Sequence, residues 1–264
     1  MGIPGKPNYY GRQLVRRLRN ERERAGLTQE EAGEKLHLRL QKLSRIENGQ
    51  LPGYHELMAI LALYGASSYD CAAYARLWER AKERGWWRKY GLEDSTYIAM
   101  EHEAESLVEF QLGRIPELLQ IAAYARECVH GDEKQVKVRM KRQDRVLGGE
   151  NPLVLHSLIH EPVLRQGVER EQLAELIERC LLPNVTVQVV PQSVGSHPGL
   201  AGSVTLLAFD DPEEPRIAFA RTPLGMTFTQ DEDVTTGVHT ELSALAERSM
   251  SPEDSLDLLV ALAG

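Results

Sequence analysis

From about Tyr10 the apolar positions of the chain fall at helical spacing. Leu14, Val15 and Leu18 share one stripe, and Arg12, Arg16, Arg17, Arg19 and Arg22 occupy the other faces. Gly26 suits the end of that helix. Thr28, with Glu31 three residues on, makes a capping box and predicts a second helix to about Leu36. A third is predicted from Leu40 to about Glu47, closed by Asn48 and Gly49, a pair suited to positive φ. Two more follow. One lies near His55 to Tyr64 with Leu57, Ile60 and Leu61 inward, the other near Ser68 to Arg84 with Ala72, Ala75 and Leu77 among its small and apolar positions.

Beyond "RGWWRKYG", Arg84 to Gly91, the pattern changes. Helical spacing predicts helices near Thr96 to Leu112, Pro116 to Val129 and Lys134 to Leu147. The β-type runs "PLVLHSLIH" and "NVTVQVVP" then flank the helix "EQLAELIERCLL". Val185, Val187 and Val189 alternate with Thr186 and Gln188, as a strand with one buried face requires. Further strands are expected at "SVTLLAF", "RIAFAR" and "GMTFTQ", separated by Pro, Gly and Asp turns. Two helices close the chain, near Val234 to Arg248 and at "SPEDSLDLLVALA", where Ser251 caps and Pro252 takes the first helical position.

The expected fold class is α+β: an N-terminal all-α bundle of about five helices, then a mixed α+β domain with a mainly antiparallel sheet. A length of 264 residues suits two domains. The boundaries read as a loose arm over 1–9, the bundle over 10–83, a linker over 84–91 and the second domain over 92–264. Trp86 and Trp87 could stack on bases, but two large rings at a junction more often pack domains together.

Charge divides the chain in the same place. Residues 1–90 hold 17 Lys+Arg against 10 Asp+Glu, whereas the remainder holds 14 against 29, within a net charge of -8. A basic module joined to an acidic one points to a nucleic-acid contact at one end and something else at the other. No apolar run approaches the roughly 20 residues that cross a bilayer, and the N-terminus has no leader pattern, so a cytoplasmic protein is expected. Cys71, Cys128 and Cys180 are too few and too far apart for a disulfide framework or a zinc site, and read as small buried hydrophobes.

The segment "GLTQEEAGEKLHLRLQKLSRIENGQLP" has the parts of a helix-turn-helix. Ala32 and Gly33 are small where two helices cross. Leu36, Leu38, Leu43 and Ile46 form an internal face, and Gln41, Lys42, Ser44 and Arg45 project outward. With "GLTQ" and "SRIENG" it resembles the phage-repressor (Cro/repressor, xenobiotic-response-element) class. That resemblance implies base reading in the major groove by Gln41 and Arg45 with the position of Leu40. It also implies phosphate contacts from Arg22, Gln29, Lys42 and the backbone near Asn48, and a structural ion pair of Arg22 with Glu47. Ser44, outward on the same helix, joins the expected phosphate contacts. Arg suits guanine, Gln suits adenine, and Lys is a point charge for phosphate. Three positions depart from the class. Leu40 stands where a polar reader is usual, His37 where the turn usually has Gly, and Arg39 where Ser or Thr caps the helix.

The segments "RGWWRKYG", "RIPELLQIAAYAR" and "LPNVTVQVVPQSVGSHPGLAGSVTLLAF", with the last "SPEDSL" helix, are similar to actinobacterial regulators of the WhiJ-like, antitoxin-like class. The resemblance implies a transcriptional regulator of double-stranded DNA whose C-terminal domain binds a small partner protein or signal. A homodimer is expected, since a monomer reads one half-site. The basic helix "EKQVKVRMKRQDRVL" is an exception in an acidic domain; a solvated face is its ordinary reading. An acidic partner docking on Lys137, Lys141 and Arg145 is the functional one.

Two other classes stay open. One is a helix-turn-helix interaction module that reads no DNA. The other is an enzyme, whose compact ionisable candidates are His156 and His160 beside Glu161. Their spacing lacks the internal Glu of a zinc hydrolase helix. Ser196 and His197 sit among glycines without a nucleophile elbow. No catalytic residue, metal or cofactor is therefore assigned.

Overall fold

The computed structural model describes residues 7–92, 96–149, 151–222 and 224–264. The chain divides into two compact units, Met1–Trp86 and Trp87–Gly264. The expected arm lies, up to residue 6, outside the described residues. Asn8 is held in place: its side chain caps the first helix at the Gly11 amide (2.9 Å) and donates to Arg80 O (3.0 Å).

The first unit contains α1 (Tyr9–Arg24), α2 (Gln29–Lys35), α3 (Leu40–Glu47), α4 (Tyr54–Tyr64) and α5 (Ser68–Ala81). α1 packs on α3, α4 and α5. Leu14 and Leu18 of α1 meet Leu43 and Ile46 of α3 and Leu57, Ile60 and Leu61 of α4 in one core. From α5 the core takes Tyr74 and Leu77, while Ala72 faces solvent. Burial of these side chains, each worth about 1.5–3 kcal/mol, holds together helices too short to stand alone.

The second unit runs α6 (Thr96–Glu103), β1 (Ser106–Gln111), α7 (Ala122–Cys128), α8 (Glu133–Arg142), α9 (Asp144–Leu147), β2 (Val154–His160), α10 (Arg170–Cys180), β3 (Val185–Val190), β4 (Ser203–Ala208), β5 (Ile217–Thr222), β6 (Gly225–Thr229), α11 (Glu232–Glu247) and α12 (Pro252–Ala263). The strands form one mixed sheet in the order β3-β2-β1-β4-β5-β6. β1, β2 and β3 are parallel and are joined by helical crossovers, as parallel neighbours require; β4, β5 and β6 continue the sheet antiparallel.

The helix expected over Thr96 to Leu112 is corrected: it stops at Glu103, and Ser106–Gln111 is the strand at which the sheet changes from parallel to antiparallel. Leu107, Glu109 and Phe110 are all buried, so β1 has a covered residue on both faces, and a short apolar run of that kind has no strict alternation. The helix expected over Pro116 to Val129 is likewise broken, into a single turn at Glu117–Leu119 and α7. The three cysteines are free and half-buried rather than fully buried.

One sheet face carries Phe110, Leu158, Val190, Leu206 and Ala218 against Leu242 and Leu245 of α11. On the other face Glu109 stands in register with Ser157 of β2 and Thr205 of β4, and Thr205 with Phe219 of β5. Tyr97 of α6 covers this face, edge-on to Phe219 at 4.9 Å. No described helix is long and apolar enough to cross a membrane.

Candidate nucleic-acid interface

α2 begins at a reciprocal cap: the Glu31 amide donates to Thr28 Oγ1 (3.2 Å) and the Thr28 amide to Glu31 Oε2 (2.8 Å). It ends at a left-handed residue, His37 (φ 54), whose amide reaches Glu34 O (3.0 Å) while the Leu38 amide reaches Gly33 O (2.8 Å). This pairing recovers the last carbonyls of α2 and turns the chain toward α3. Gly33 is needed at the crossing, because a Cβ there would stand 3.1 Å from Leu38 O. Arg39 precedes α3 in an extended conformation and offers no side-chain cap. At the other end Gly49 takes the positive φ (109°), and Asn48 does not.

The orientation of α3 follows from its sequence. Leu43 and Ile46 are buried, which turns Gln41 and Arg45, four residues apart, to solvent on one face. Leu40, at the start of the helix, is 49% exposed. Ser44 is half-buried, and Asn48 Nδ2 donates to its carbonyl (2.7 Å) and to its Oγ (3.3 Å).

The one carboxylate on α3, Glu47, is buried and compensated. Arg22 Nε donates to Glu47 Oε1 (2.7 Å) and Arg22 Nη2 to Glu47 Oε2 (3.1 Å). Gln29 Nε2 adds a bond to Glu47 Oε2 (2.7 Å). Arg22 Nη1 is taken by Leu27 O (2.7 Å). The bond to Glu47 raises the Arg22 pKa further. Arg22 was expected both to pair with Glu47 and to touch phosphate; with its donors spent inside the bundle, bracing is the role its geometry supports. Gln29 is half-buried and keeps one N–H. Lys42 pairs with Glu56 on α4, whose carboxyl is held below its ordinary range by Lys42 and by the Gly53 amide.

Two family models match the chain. One, described as a helix-turn-helix domain, covers residues 13–71, from α1 into α5. The other, described as a domain of unknown function (DUF5753), covers residues 94–260, well over half of the sequence. The chain belongs to the DUF5753 family. No curated protein and no solved structure gives a match.

Within the DUF5753 region α8 is two-faced. Lys137 and Lys141 are exposed, and Lys141 pairs with Asp144. Arg145 is half-buried and donates to Ala104 O (2.8 Å) and Asn151 O, so it is built into the fold. Arg139 and Arg142 turn inward. Arg142 Nε meets Glu101 Oε1 (2.7 Å) and Arg142 Nη1 meets Glu117 Oε2 (2.6 Å), and Arg139 Nη2 meets Glu117 Oε1 (2.8 Å). Burial would raise the Glu117 carboxyl, but Arg142, Arg139 and Arg221 outweigh it and hold it at about 2.

This network leaves no local mark in the sequence, because Arg139 and Arg142 stand among the other basic positions of α8 and their partners Glu101 and Glu117 come from other segments. His156 Nε2 is 2.7 Å from Gln188 Oε1, and the His160 ring lies 6.4 Å from that of His197. Trp87 is buried with its ring edge-on to His102.

Proposed function

We propose that the protein is a sequence-specific, DNA-binding transcriptional regulator of the phage-repressor (XRE) class, with a WhiJ-like, antitoxin-like C-terminal domain. It acts in the cytoplasm, as a homodimer on a two-half-site operator, and works by binding rather than by catalysis. The observation that carries this reading is the exposed pair Gln41 and Arg45 on a helix whose only carboxylate is buried under Arg22. Such a face presents donors to base edges without repelling the duplex.

In this reading Gln41 and Arg45 select bases, and Leu40 meets a thymine methyl. Lys42, Gln29, Ser44 and the backbone at Asn48 contact phosphate. Arg22 fixes α1 to α3 so that these groups keep their spacing. Lys42 must exchange Glu56 for phosphate, which lowers its net contribution. Selection of DNA from a random pool, followed by footprinting, tests the reading. A protected site of two related half-sites supports it, and no affinity for any duplex at low salt overturns it in favour of the interaction-only module.

The second unit receives a small acidic partner protein or a signal. Lys137 and Lys141, which with Lys134 are the exposed cations of α8, favour an acidic partner. Charge reversal at these two should abolish capture of such a partner; reversal of Arg145 would break the contacts with Ala104 and Asn151 instead.

A further inference from the structure

A cavity of about 50 Å³ lies on the sheet face opposite α11, with room for roughly four water-sized groups. Its floor is Glu109, 3% exposed in the middle of β1. Two neutral groups satisfy part of that carboxylate: Ser157 Oγ donates to Oε1 (2.9 Å) and Gln111 Nε2 to Oε2 (2.6 Å). A carboxylate accepts about four hydrogen bonds, so about half its capacity is unused among the described residues. The Thr205 hydroxyl, in register beside it, has no side-chain partner among the described residues and lines the same cavity.

The neighbouring charges are already matched. Arg142 is held by Glu101 and Glu117, Arg139 by Glu117 and Gln120, and Arg221 lies 3.4 Å from Glu117. Among the described residues, Glu109 is the buried carboxylate of this network with no cation partner. A buried charge is costly, and here only the neutral donors Ser157 and Gln111 offset it. Tyr97, whose ring already carries the Arg142 guanidinium at 5.2 Å, and Phe219 line the cavity with aromatic carbon. At the rim, Arg114 and Arg221 are exposed; Arg221 shares Glu117 with Arg139 and Arg142, so the rim keeps positive charge toward solvent.

We infer that this cavity is a binding site for a small amino acid or similar zwitterion, whose ammonium enters to Glu109 and Thr205 while its anionic end stays at Arg114 and Arg221. The volume suits an ammonium and a short carbon stem. A bare polyamine is repelled at the rim, and a simple carboxylic acid meets an acidic floor. The site gives the signal-binding part of the proposed function a chemical class. It is tested without DNA, so its failure leaves the DNA-reading assignment untouched.

Titration gives a signature that a merely structural carboxylate lacks. Burial, opposed by the bonds from Gln111 and Ser157, pushes the Glu109 carboxyl up to about 7. The ionisable groups around this face are Tyr97 and Glu101 on α6, Arg114 after β1, Glu117 in the turn Glu117–Leu119, Arg139 and Arg142 on α8, and Arg221 on β5. Of these, Glu101 and Glu117 add to the rise. An entering ammonium therefore displaces a proton from Glu109 near pH 6, and affinity falls about tenfold for each pH unit below about 7.

The experiment is calorimetric titration of the full chain with the common amino acids, and with ethylamine and propionate as amine-only and acid-only probes. At pH 6 it is repeated in buffers of different ionisation enthalpy. At least one amino acid should bind with release of a proton, ethylamine more weakly, and propionate not at all. Glu109→Gln should weaken the amino acid at least tenfold and abolish proton release. Arg221→Gln, at the exposed rim, should weaken the amino acid several-fold and leave ethylamine unchanged, which keeps the test decisive if the Glu109 variant does not fold. Binding by none of the amino acids, binding undiminished in either variant, or propionate binding as tightly as the amino acid would overturn the proposal.

Discussion

Arg22 of α1 and Glu47 of α3 meet through two hydrogen bonds of 2.7 and 3.1 Å inside the helical unit. Glu47 is almost fully buried; Gln29 and, more distantly at 3.8 Å, the half-exposed Arg19 complete its shell. Removing one member of such a pair strands a buried charge at a cost of about 3–5 kcal/mol, whereas replacing both by apolar groups can be neutral. Arg22→Ala should therefore lower the stability of the helical unit by that amount, and Arg22→Met with Glu47→Leu should recover most of it. Urea denaturation of the three proteins checks this. A single variant within about 0.5 kcal/mol of wild type would show the pair to be as weak as a surface contact.

Lys42 is divided between Glu56 and the phosphate it is proposed to reach. Glu56→Gln keeps an acceptor for the Gly53 amide and removes the competing charge. The expected result is a several-fold gain in affinity on specific and random DNA alike, with a salt dependence at least as steep. Fluorescence anisotropy at two salt concentrations measures it, and unchanged affinity would mean that Lys42 does not touch the backbone of the duplex.

His37 occupies a left-handed position that glycine takes without steric cost. A side chain there costs about 1–2 kcal/mol, partly offset by the lower entropy of an unfolded chain without the extra glycine. His37→Gly should raise stability by about 0.5–1 kcal/mol without moving the DNA-binding surface. A thermal melt and a binding titration of the same sample test both halves.

Glu109 makes stability depend on pH. Its carboxyl moves from an ordinary 4.5 to about 7 on folding, so between those values the folded chain holds a proton that the unfolded chain has lost. Stability falls as pH rises through that window and levels off above it. Glu117, held at about 2, acts in the opposite sense below 4.5, where falling pH removes its contribution. Glu109→Gln should match wild type near pH 4 and exceed it by up to roughly 3 kcal/mol at pH 8. Parallel denaturation curves across this range would show that Glu109 is not a charge the fold bears at a cost.

The helical unit was legible because each of its turns is made locally. Thr28 and Glu31 cap, Gly26 and Gly49 reverse the chain, and Leu43 and Ile46 set which side of α3 faces water. The outward placement of Gln41 and Arg45 follows from those positions alone. β1 was not legible, because its surroundings come from β2 and β4, strands that begin 48 and 97 residues later than Ser106. The inward side of α8 was hidden for a related reason. Arg139 and Arg142 look like surface charge until Glu101 and Glu117, supplied by other segments, are beside them. Glu109 gave no local sign of its place, since a carboxylate between Val108 and Phe110 reads as the wet side of a helix.

The most direct test of the account is the binding of wild type and Arg45→Ala to duplex selected from a random pool by the wild type, and to random duplex, over a series of salt concentrations. The account predicts a loss of about 1–3 kcal/mol on the selected site, with relaxed preference at one base pair, and little change on random DNA. Equal losses on both, or none on either, would contradict the claim that α3 reads the sequence.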